Sequence, residues 1–509
     1  MRLLRQVGKK NTIARTGVTA QKCSLPVVQH IKLSSNYMKL YKKYVSGSDV
    51  SFKKYHCLFG ITCLTEEKSF FQKKVILFNK FVLKSKKYTS YNFYDSKFSS
   101  FKDYASDLAN LVNHISKPVL LWIDQSLGGG TLSYSLNKFN EYKDDFLIIR
   151  LQYHHLYRAF VVSCPNGEMY TGFSLSFEDT KELLQKISYS KIVLNSLVAY
   201  RNISEVLAFI HRIREEKRTL SISYMVHDFF FICPNCNLMN SDNNFCGFND
   251  GQNCAVCIEH NKSKQPDYEN ELFYGECENI SLWRKMWEKS LLLDIDEVVC
   301  FSKSSTEIVN FYYPELSSKV VLIPHKIRPL RKVKVQEHDS INIAVLGKVD
   351  SIPKGKLFIE SLSKAINQYN EKQLILSPIQ KQNHEHPRDE FKQKLDIFES
   401  KAKNVNLFCL GDYVNAPSNM KVLGSYDRDN LPNIVEENSI DLIFIPSIWA
   451  ETFSYTTSEA IAMNVPVACF NLGGQADQVS VYSKGLILEL SDSSDIVLDN
   501  ILDFLRKLS

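Results

Sequence analysis

The chain of 509 residues has room for about three domains at the usual ~150 residues each. Its 44% hydrophobic and 23% charged residues are ordinary globular usage, which excludes wholesale disorder, collagen and a membrane bundle, and no apolar run approaches the ~20 residues that span a bilayer. The net charge of +6 is uneven: residues 1–100 hold 20 Lys/Arg against 4 Asp/Glu, a head of +16, and the rest holds 42 against 52, a body of −10.

In chain order, residues 1–50 show little periodicity and much Lys, Ser and Thr, and read as a flexible lead-in. No apolar stretch follows the basic N-terminus, so no signal peptide is expected and the cytoplasm is the default compartment. YHCLFGITCL and KKVILFNKFVL read as two strands and FKDYASDLANLVNHI as a helix, in a region (1–115) whose fold the residues do not name. From residue 116 short apolar strands alternate with amphipathic helices: PVLLWID, the break at Gly128–Gly130, a helix, FLIIRL, AFVVSC, a helix, KIVLNSL, a helix, LSISYMV, EVVCFS, a helix and KVVLIP. That alternation is the mark of a parallel, doubly wound sheet. A basic and then polar stretch, HKIRPLRKVKVQEHDS, reads as a linker. A second alternating series starts at INIAVLG and runs through KQLILSP, VNLFCLG, KVLGSY, IDLIFIPS, VPVACF and GLILEL. The expected organisation is a basic extension (1–115), an α/β domain (116–333) and a second α/β domain (340–509), with a ligand cleft at the facing carboxyl edges of the two sheets.

Five of the 13 cysteines, Cys233, Cys236, Cys246, Cys254 and Cys257, fall within 25 residues. Two C-x2-C pairs separated by 17 residues fit zinc spacing, which selects Cys233, Cys236, Cys254 and Cys257 as ligands of a structural Zn²⁺.

The strongest local signal is PSIWAETFSYTTSEAIAMNVPVACFNLGG, residues 446–474. Glu451 and Glu459, with seven residues between them, stand after an apolar strand, then come a helix, Asn464–Val467 and Gly473–Gly474. A helix beginning near Ser454 offers N–H groups to an anion such as a nucleotide-sugar diphosphate. Glu459 sits deeper in that helix, where a carboxylate can hold ribose hydroxyls. The segment resembles the donor site of retaining glycosyltransferases of the GT-B fold, glycosyltransferase family 4, in the form found in enzymes that build bacterial surface polysaccharides. The resemblance implies two Rossmann-like domains around a cleft, a nucleotide-sugar donor, no catalytic metal, and a transferred sugar in contact with Glu451 and the backbone after it. The family's Gly-Phe-Gly is here Thr452-Phe453-Ser454, which bears on the identity of the sugar.

Further family-like positions follow. Gly347 and Lys354–Gly355 match the element after the first strand of the second domain, with Lys348 where an arginine is common. Two cations there would stabilise a leaving nucleoside diphosphate. Gly129 and Gly130 occupy a loop that the family places near the diphosphate and acceptor. His227, at the end of LSISYMV, stands where the family has a histidine on the donor sugar. The family's cysteine arrangement selects Cys233, Cys246, Cys254 and Cys257 as the zinc set, with Cys236 left over. His325 reads as structural or hinge-like.

Together these readings imply transfer of a sugar to a glycan or lipid-linked glycan, as in O-antigen- or capsule-like polysaccharide synthesis. The enzyme would be cytoplasmic, and peripheral at the inner face of the membrane through its basic head. The competing readings are a nucleic-acid-binding protein with a basic arm and zinc ribbon, and a GT-B scaffold without activity. The acidic body and complete donor motif favour an enzyme that binds no nucleic acid.

Overall fold

The structure, a computed structural model, describes residues 101–154, 158–165, 171–248, 251, 253–264, 274–277, 279–382 and 403–508, with backbone only over 374–382. It also describes the backbone of residues 41–47, 52–58, 61–68, 72–77 and 81–87. The chain divides into two units, Met1–Phe101 and Lys102–Ser509.

In the first unit β1 (Tyr41–Gly47), β2 (Phe52–Leu58), β3 (Ile61–Lys68), β4 (Gln72–Leu77) and β5 (Phe81–Lys87) pair antiparallel in sequential order. Gaps of two to four residues permit only this hairpin connectivity. Each of the two long strands expected here is therefore two strands. In the sequence Gly60 and Asn79, residue types that favour turns, stand in the middle of each apolar run. Residues 1–40 of the expected lead-in lie outside the described residues.

The second unit opens with α1 (Phe101–His114) and continues as an α/β domain. Its strands are β6 (Val119–Gln125), β7 (Leu147–His154), β8 (Ala159–Ser163), β9 (Gly172–Ser174), β10 (Lys191–Leu194), β11 (Ser221–Met225), β12 (Glu297–Cys300) and β13 (Val320–Leu322). They lie in the order β13-β12-β11-β10-β6-β7-β8-β9. The helices are α2 (Gly129–Tyr142), α3 (Phe177–Gln185), α4 (Ile203–Glu216), α5 (Cys254–Lys264), α6 (Ile280–Leu293) and α7 (Lys303–Tyr312). From β13 to β7 the pairing is parallel. At the edge, β7, β8 and β9 are antiparallel, a departure from the all-parallel expectation. Only four residues separate β7 from β8, too few for a crossover. Every residue of β6 is buried, as a strand covered on both faces must be.

The C-terminal domain runs β14 (Ser340–Leu346), α8 (Lys356–Gln382), β15 (Asn404–Leu410), β16 (Met420–Val422), α9 (Leu431–Glu437), β17 (Leu442–Ile445), α10 (Tyr455–Ala462), β18 (Val467–Phe470), α11 (Gly473–Val479), β19 (Gly485–Leu488) and α12 (Ser494–Leu508). The strands are parallel in the order β16-β15-β14-β17-β18-β19. KQLILSP, expected as a strand, is the continuation of α8. A run of three apolar residues, Leu374–Leu376, fits either structure, and periodicity cannot choose between them.

Alternation along the strands divides this domain's core in two. Ile343, Val345, Leu442, Phe444, Ala468 and Phe470 pack with Ile359 and Leu362 of α8 and Ile501 and Leu502 of α12. Their neighbours Ala344, Leu346, Ile443, Ile445, Val467 and Cys469 pack with Leu431 and Val435 of α9 and Ala460 of α10. Residues 323–339 join the domains. They dock on the second one through Val333, whose N–H donates to the Met463 carbonyl at 2.9 Å, and through Arg331, which grips Glu436 at 2.6 and 2.8 Å.

Two doubly wound domains in tandem make the GT-B architecture that the resemblance implies. Topology then fixes where a ligand can sit. Strand order reverses between β6 and β10 in the first sheet and between β14 and β17 in the second. Crevices outside the carboxyl ends of such strands are the binding positions of this fold class.

Candidate active site

The crevice of the C-terminal domain is built from two loops. The β14 loop carries Gly347, Lys348 and Lys354, and the β17 loop carries Ser447, Trp449 and Glu451. The loops are pressed together. A Cβ on Gly355 would overlap the Pro446 carbonyl, and one on Gly473 would overlap Ala450, while both glycines hold positive φ. Glu451 is buried at 4% exposure. Its Oε1 accepts hydrogen bonds from Lys354 Nζ and Ser447 Oγ, each at 2.5 Å, and its backbone N–H donates to Gln475 Oε1 at 3.2 Å. Burial pushes its pKa up, but the charge and hydrogen bond of Lys354, with the hydroxyls of Ser447 and Ser454, outweigh that and hold it below the usual range. Lys354 also lies 5.8 Å over the Trp449 ring.

Gly347, Lys348, Lys354, Ser447, Glu451 and Thr456 line one cavity of about 60 Å³. The Lys348 side chain is mostly solvated, 4.0 Å from Asp350. Ser454 is the N-cap of α10, accepting from the Thr457 N–H, which directs the start of that helix to the same place. Glu459 belongs elsewhere: one turn into α10, it accepts from Arg428 Nε and Tyr426 OH, each at 3.2 Å. Burial raises its pKa, against the opposing charge of Arg428. The two glutamates of the motif thus have separate partners and environments.

Across the cleft, His227 follows β11. Its carbonyl accepts from Thr452 Oγ1 at 3.0 Å, a direct bond between the domains. Its ring lies among Tyr134 (4.8 Å), Phe301 (4.6 Å) and His325 (5.6 Å). His325 stacks on Phe453 at 4.4 Å and on Tyr134 at 4.7 Å, and shares a 2.7 Å hydrogen bond with Tyr455 OH. Phe453 therefore faces an aromatic cluster made by both domains and the linker. Burial holds both imidazoles neutral: it pushes His227 well down, aided by His325, and His325 down to about 3, aided by Lys138. Gly130 lies against the Tyr455 ring, where a Cβ would come within 3.0 Å. Gly129, with φ of 70°, opens α2 beside it. The Gly129–Gly130 loop is thereby set beside the first turn of the donor-side helix.

Sequence spacing missed the polar chain behind His227. The imidazole Nε2 is 2.9 Å from Asn195 Oδ1, and Asn195 Nδ2 donates to Asp124 Oδ1 and Ser135 Oγ, both at 3.0 Å. Arg150 closes on Asp124 at 2.5 Å. Arg428, Tyr426, Ser447 and Gln475 were missed as well. Arg428 and Tyr426 come from another part of the chain, whereas Ser447 lies inside the 446–474 segment and Gln475 directly after it, each a single polar residue that no spacing singles out.

In the cysteine segment the thiols of Cys246, Cys254 and Cys257 lie close enough to Cys233 for their charges to act on it, while Cys236 feels Asp228 instead. Burial, then Cys254 and Cys257, pushes the Cys246 thiol up to about 11. Cys246 donates to the Leu238 carbonyl at 2.9 Å, Cys254 accepts from Arg284, and Cys257 accepts from Asn261. The three thiols are engaged with these partners, and among the described residues no group of three or more ligating side chains stands ready to hold a metal.

Residues 385–507 match the family model described as Glycosyl transferases group 1. Solved structures of related shape include HepE from Anabaena in complex with UDP, at 12% identity over 75% of this chain and 89% of that one, with a TM-score of 0.42. Sucrose-phosphate synthase from Thermosynechococcus elongatus is 13% identical over 77% of this chain and 90% of its own, with a TM-score of 0.44. A mutant of TarM from S. aureus, in complex with fondaparinux, alpha-GlcNAc-glycerol and UDP, is 9% identical over 93% and 73%, with a TM-score of 0.40. No curated protein matches the chain. The family match takes in Glu451, Ser454 and Glu459, and with the two-domain architecture it supports a glycosyltransferase of the GT-B type.

Proposed function

We propose that the chain is a retaining glycosyltransferase of family 4 type, moving a sugar from a nucleotide-sugar to a glycan acceptor in the building of a cell-surface polysaccharide. The observation that carries this reading is the ion pair of half-exposed Lys354 with buried Glu451, set at the switch point of the second sheet beside the N-terminus of α10. Lys354 and Lys348 take the diphosphate with the positive end of the helix. As Lys354 turns to the phosphate, Glu451 is released to accept hydrogen bonds from the transferred sugar. Glu459 takes ribose hydroxyls, and Gly347, Phe453, Ser454, Gly129 and Gly130 shape the walls. The bond from the anomeric carbon to the phosphate breaks, and the acceptor hydroxyl attacks from the same face. Its proton passes to the departing phosphate oxygen. His227 orients the sugar from the other domain.

A cavity of 60 Å³ is far short of the roughly 300–1,000 Å³ of small-molecule sites, so the donor enters an opened cleft that then closes on it. The acceptor, a glycan or lipid-linked glycan, lies on the N-terminal domain. The enzyme works at the cytoplasmic face of the membrane, its basic head on anionic lipid.

Thermal-shift measurement against UDP-, GDP-, dTDP- and ADP-sugars identifies the donor. With that donor, Glu451→Ala and Lys354→Ala should each lower transfer by about 100-fold or more, the scale of a lost charge-stabilising contact. Circular dichroism confirms the fold of each variant. Full transfer by a folded Glu451→Ala chain sinks the assignment.

A further inference from the structure

We infer that Asn195, anchored by Asp124, is a positioning residue that locks the tautomer of His227, leaving Nδ1 as a bare hydrogen-bond acceptor for a sugar hydroxyl. The part played by the sugar rests on the function proposed above; the tautomer does not.

Three strand ends meet here. Asp124 is the penultimate residue of β6, Asn195 directly follows β10, and His227 follows β11. The direction of every bond can be assigned from chemistry. Asp124 is ion-paired to Arg150, with Nη2 at 2.5 Å and Nε at 3.1 Å from Oδ2, and its Oδ1 accepts the Gln125 N–H at 2.9 Å. A carboxylate so held only accepts. The Asn195 atom 3.0 Å from Asp124 must therefore be the amide nitrogen, and the atom facing His227 must be the amide oxygen. The amide cannot flip without setting oxygen against carboxylate.

Its second N–H is used as well, on Ser135 Oγ at 3.0 Å, and that hydroxyl donates to Asp124 Oδ2 at 2.8 Å and accepts from Trp122 Nε1 at 3.2 Å. Asn195 and Asp124 are fully buried, so water does not compete for these bonds.

An amide oxygen at 2.9 Å needs a proton on Nε2. The ring is neutral, so it carries one proton and Nδ1 has none. Nδ1 has no protein partner among the described residues and is not sealed from solvent, unlike Nε2 of His325, which is buried without a partner. His227 thus serves as an oriented acceptor and not as a proton donor to the leaving group. The bond from Thr452 to the His227 carbonyl keeps that acceptor in register with the Glu451 loop.

The test reads the tautomer without donor or acceptor present. The full chain is labelled with 15N at histidine, His227→Gln identifies the resonances, and two-bond 15N–1H correlations are recorded at neutral pH. The expected pattern is a neutral ring protonated at Nε2 alone. A ring protonated at Nδ1, or one averaging both forms, overturns the inference in the unmutated chain, so no variant need fold for it to fail. Asn195→Leu should convert the pattern to an averaged or Nδ1-protonated one and lower kcat/KM for transfer about tenfold, the scale of one oriented hydrogen bond. Ser135→Ala, which spares the Asn195–Asp124 contact, should keep the pattern. An Asn195→Leu chain that retains it overturns the inference whatever its turnover.

Discussion

Glu451 and Glu459 lie eight positions apart on one motif, yet their surroundings give them opposite responses to pH. Glu451 has its pKa held down by Lys354 and two hydroxyls, so its pair stabilises the fold above the ordinary carboxylate pKa of ~4.3 and loses that contribution only as pH falls further. Glu459 has its pKa raised by burial, so the fold loses stability as pH rises from ~4.3 through the higher native value. Arg428 limits that loss, with its side chain 21% exposed against 10% for Glu459. Removing it extends the raised-pKa window upward toward neutrality. Arg428→Leu should therefore cost about 3 kcal/mol at pH 8, the low end for a broken buried pair, and clearly less at pH 5, where Glu459 can take up a proton. Thermal melts at the two pH values check this; an equal loss at both would show that Arg428 acts through packing alone.

Between elements, what the sequence disclosed followed from distance along the chain. Glu451, Ser454 and Glu459 belong to one strand–loop–helix unit, and the local spacing showed it. Lys354 was legible because it follows the first strand of its domain at a characteristic place. Asp124, Asn195 and His227 are separated by 71 and 32 residues and meet only because β6, β10 and β11 lie side by side, so no window contains them. KQLILSP failed for a different reason, because a short apolar run carries no period of its own. The cysteine segment falls between these cases. Spacing favours Cys236 as a zinc ligand, whereas the folded segment groups Cys246, Cys254 and Cys257 around Cys233 and leaves Cys236 by Asp228. Zinc would have to draw Cys246, Cys254 and Cys257 off their present partners. Metal-free chain titrated with zinc and then dialysed should retain one equivalent by elemental analysis. Cys254→Ser should abolish retention and Cys236→Ser should leave it intact. Equal loss in both variants would restore the spacing-based set, and no uptake by the unmutated chain would remove zinc from the account.

At the scale of the whole molecule, the charge of +6 is the sum of opposite charges on two units of different construction. The −10 body holds every residue of the candidate site, and its cations matter at a few placed lysines. The first unit contributes none of them. Its five paired strands carry ten lysines and two glutamates, and they pair only with one another, in sequential order, among the described residues. A segment with its own sheet can be removed without unpairing any strand of either α/β sheet. Each Lys or Arg near an anionic leaflet contributes about 1 kcal/mol, so a head of +16 needs to bring only a fraction of its cations to the surface to bind it. A chain lacking residues 1–100 should therefore keep its turnover of a soluble acceptor within about twofold, since the catalytic pairs are untouched. It should no longer sediment with vesicles of 30% phosphatidylserine in phosphatidylcholine at about 0.15 M salt, whereas the full chain should sediment and be released near 1 M salt, where screening reaches within ~3 Å. Sedimentation of the truncated chain at 0.15 M salt would place the membrane contact on the α/β domains, and insoluble truncated protein would give the head a structural role in place of an adhesive one.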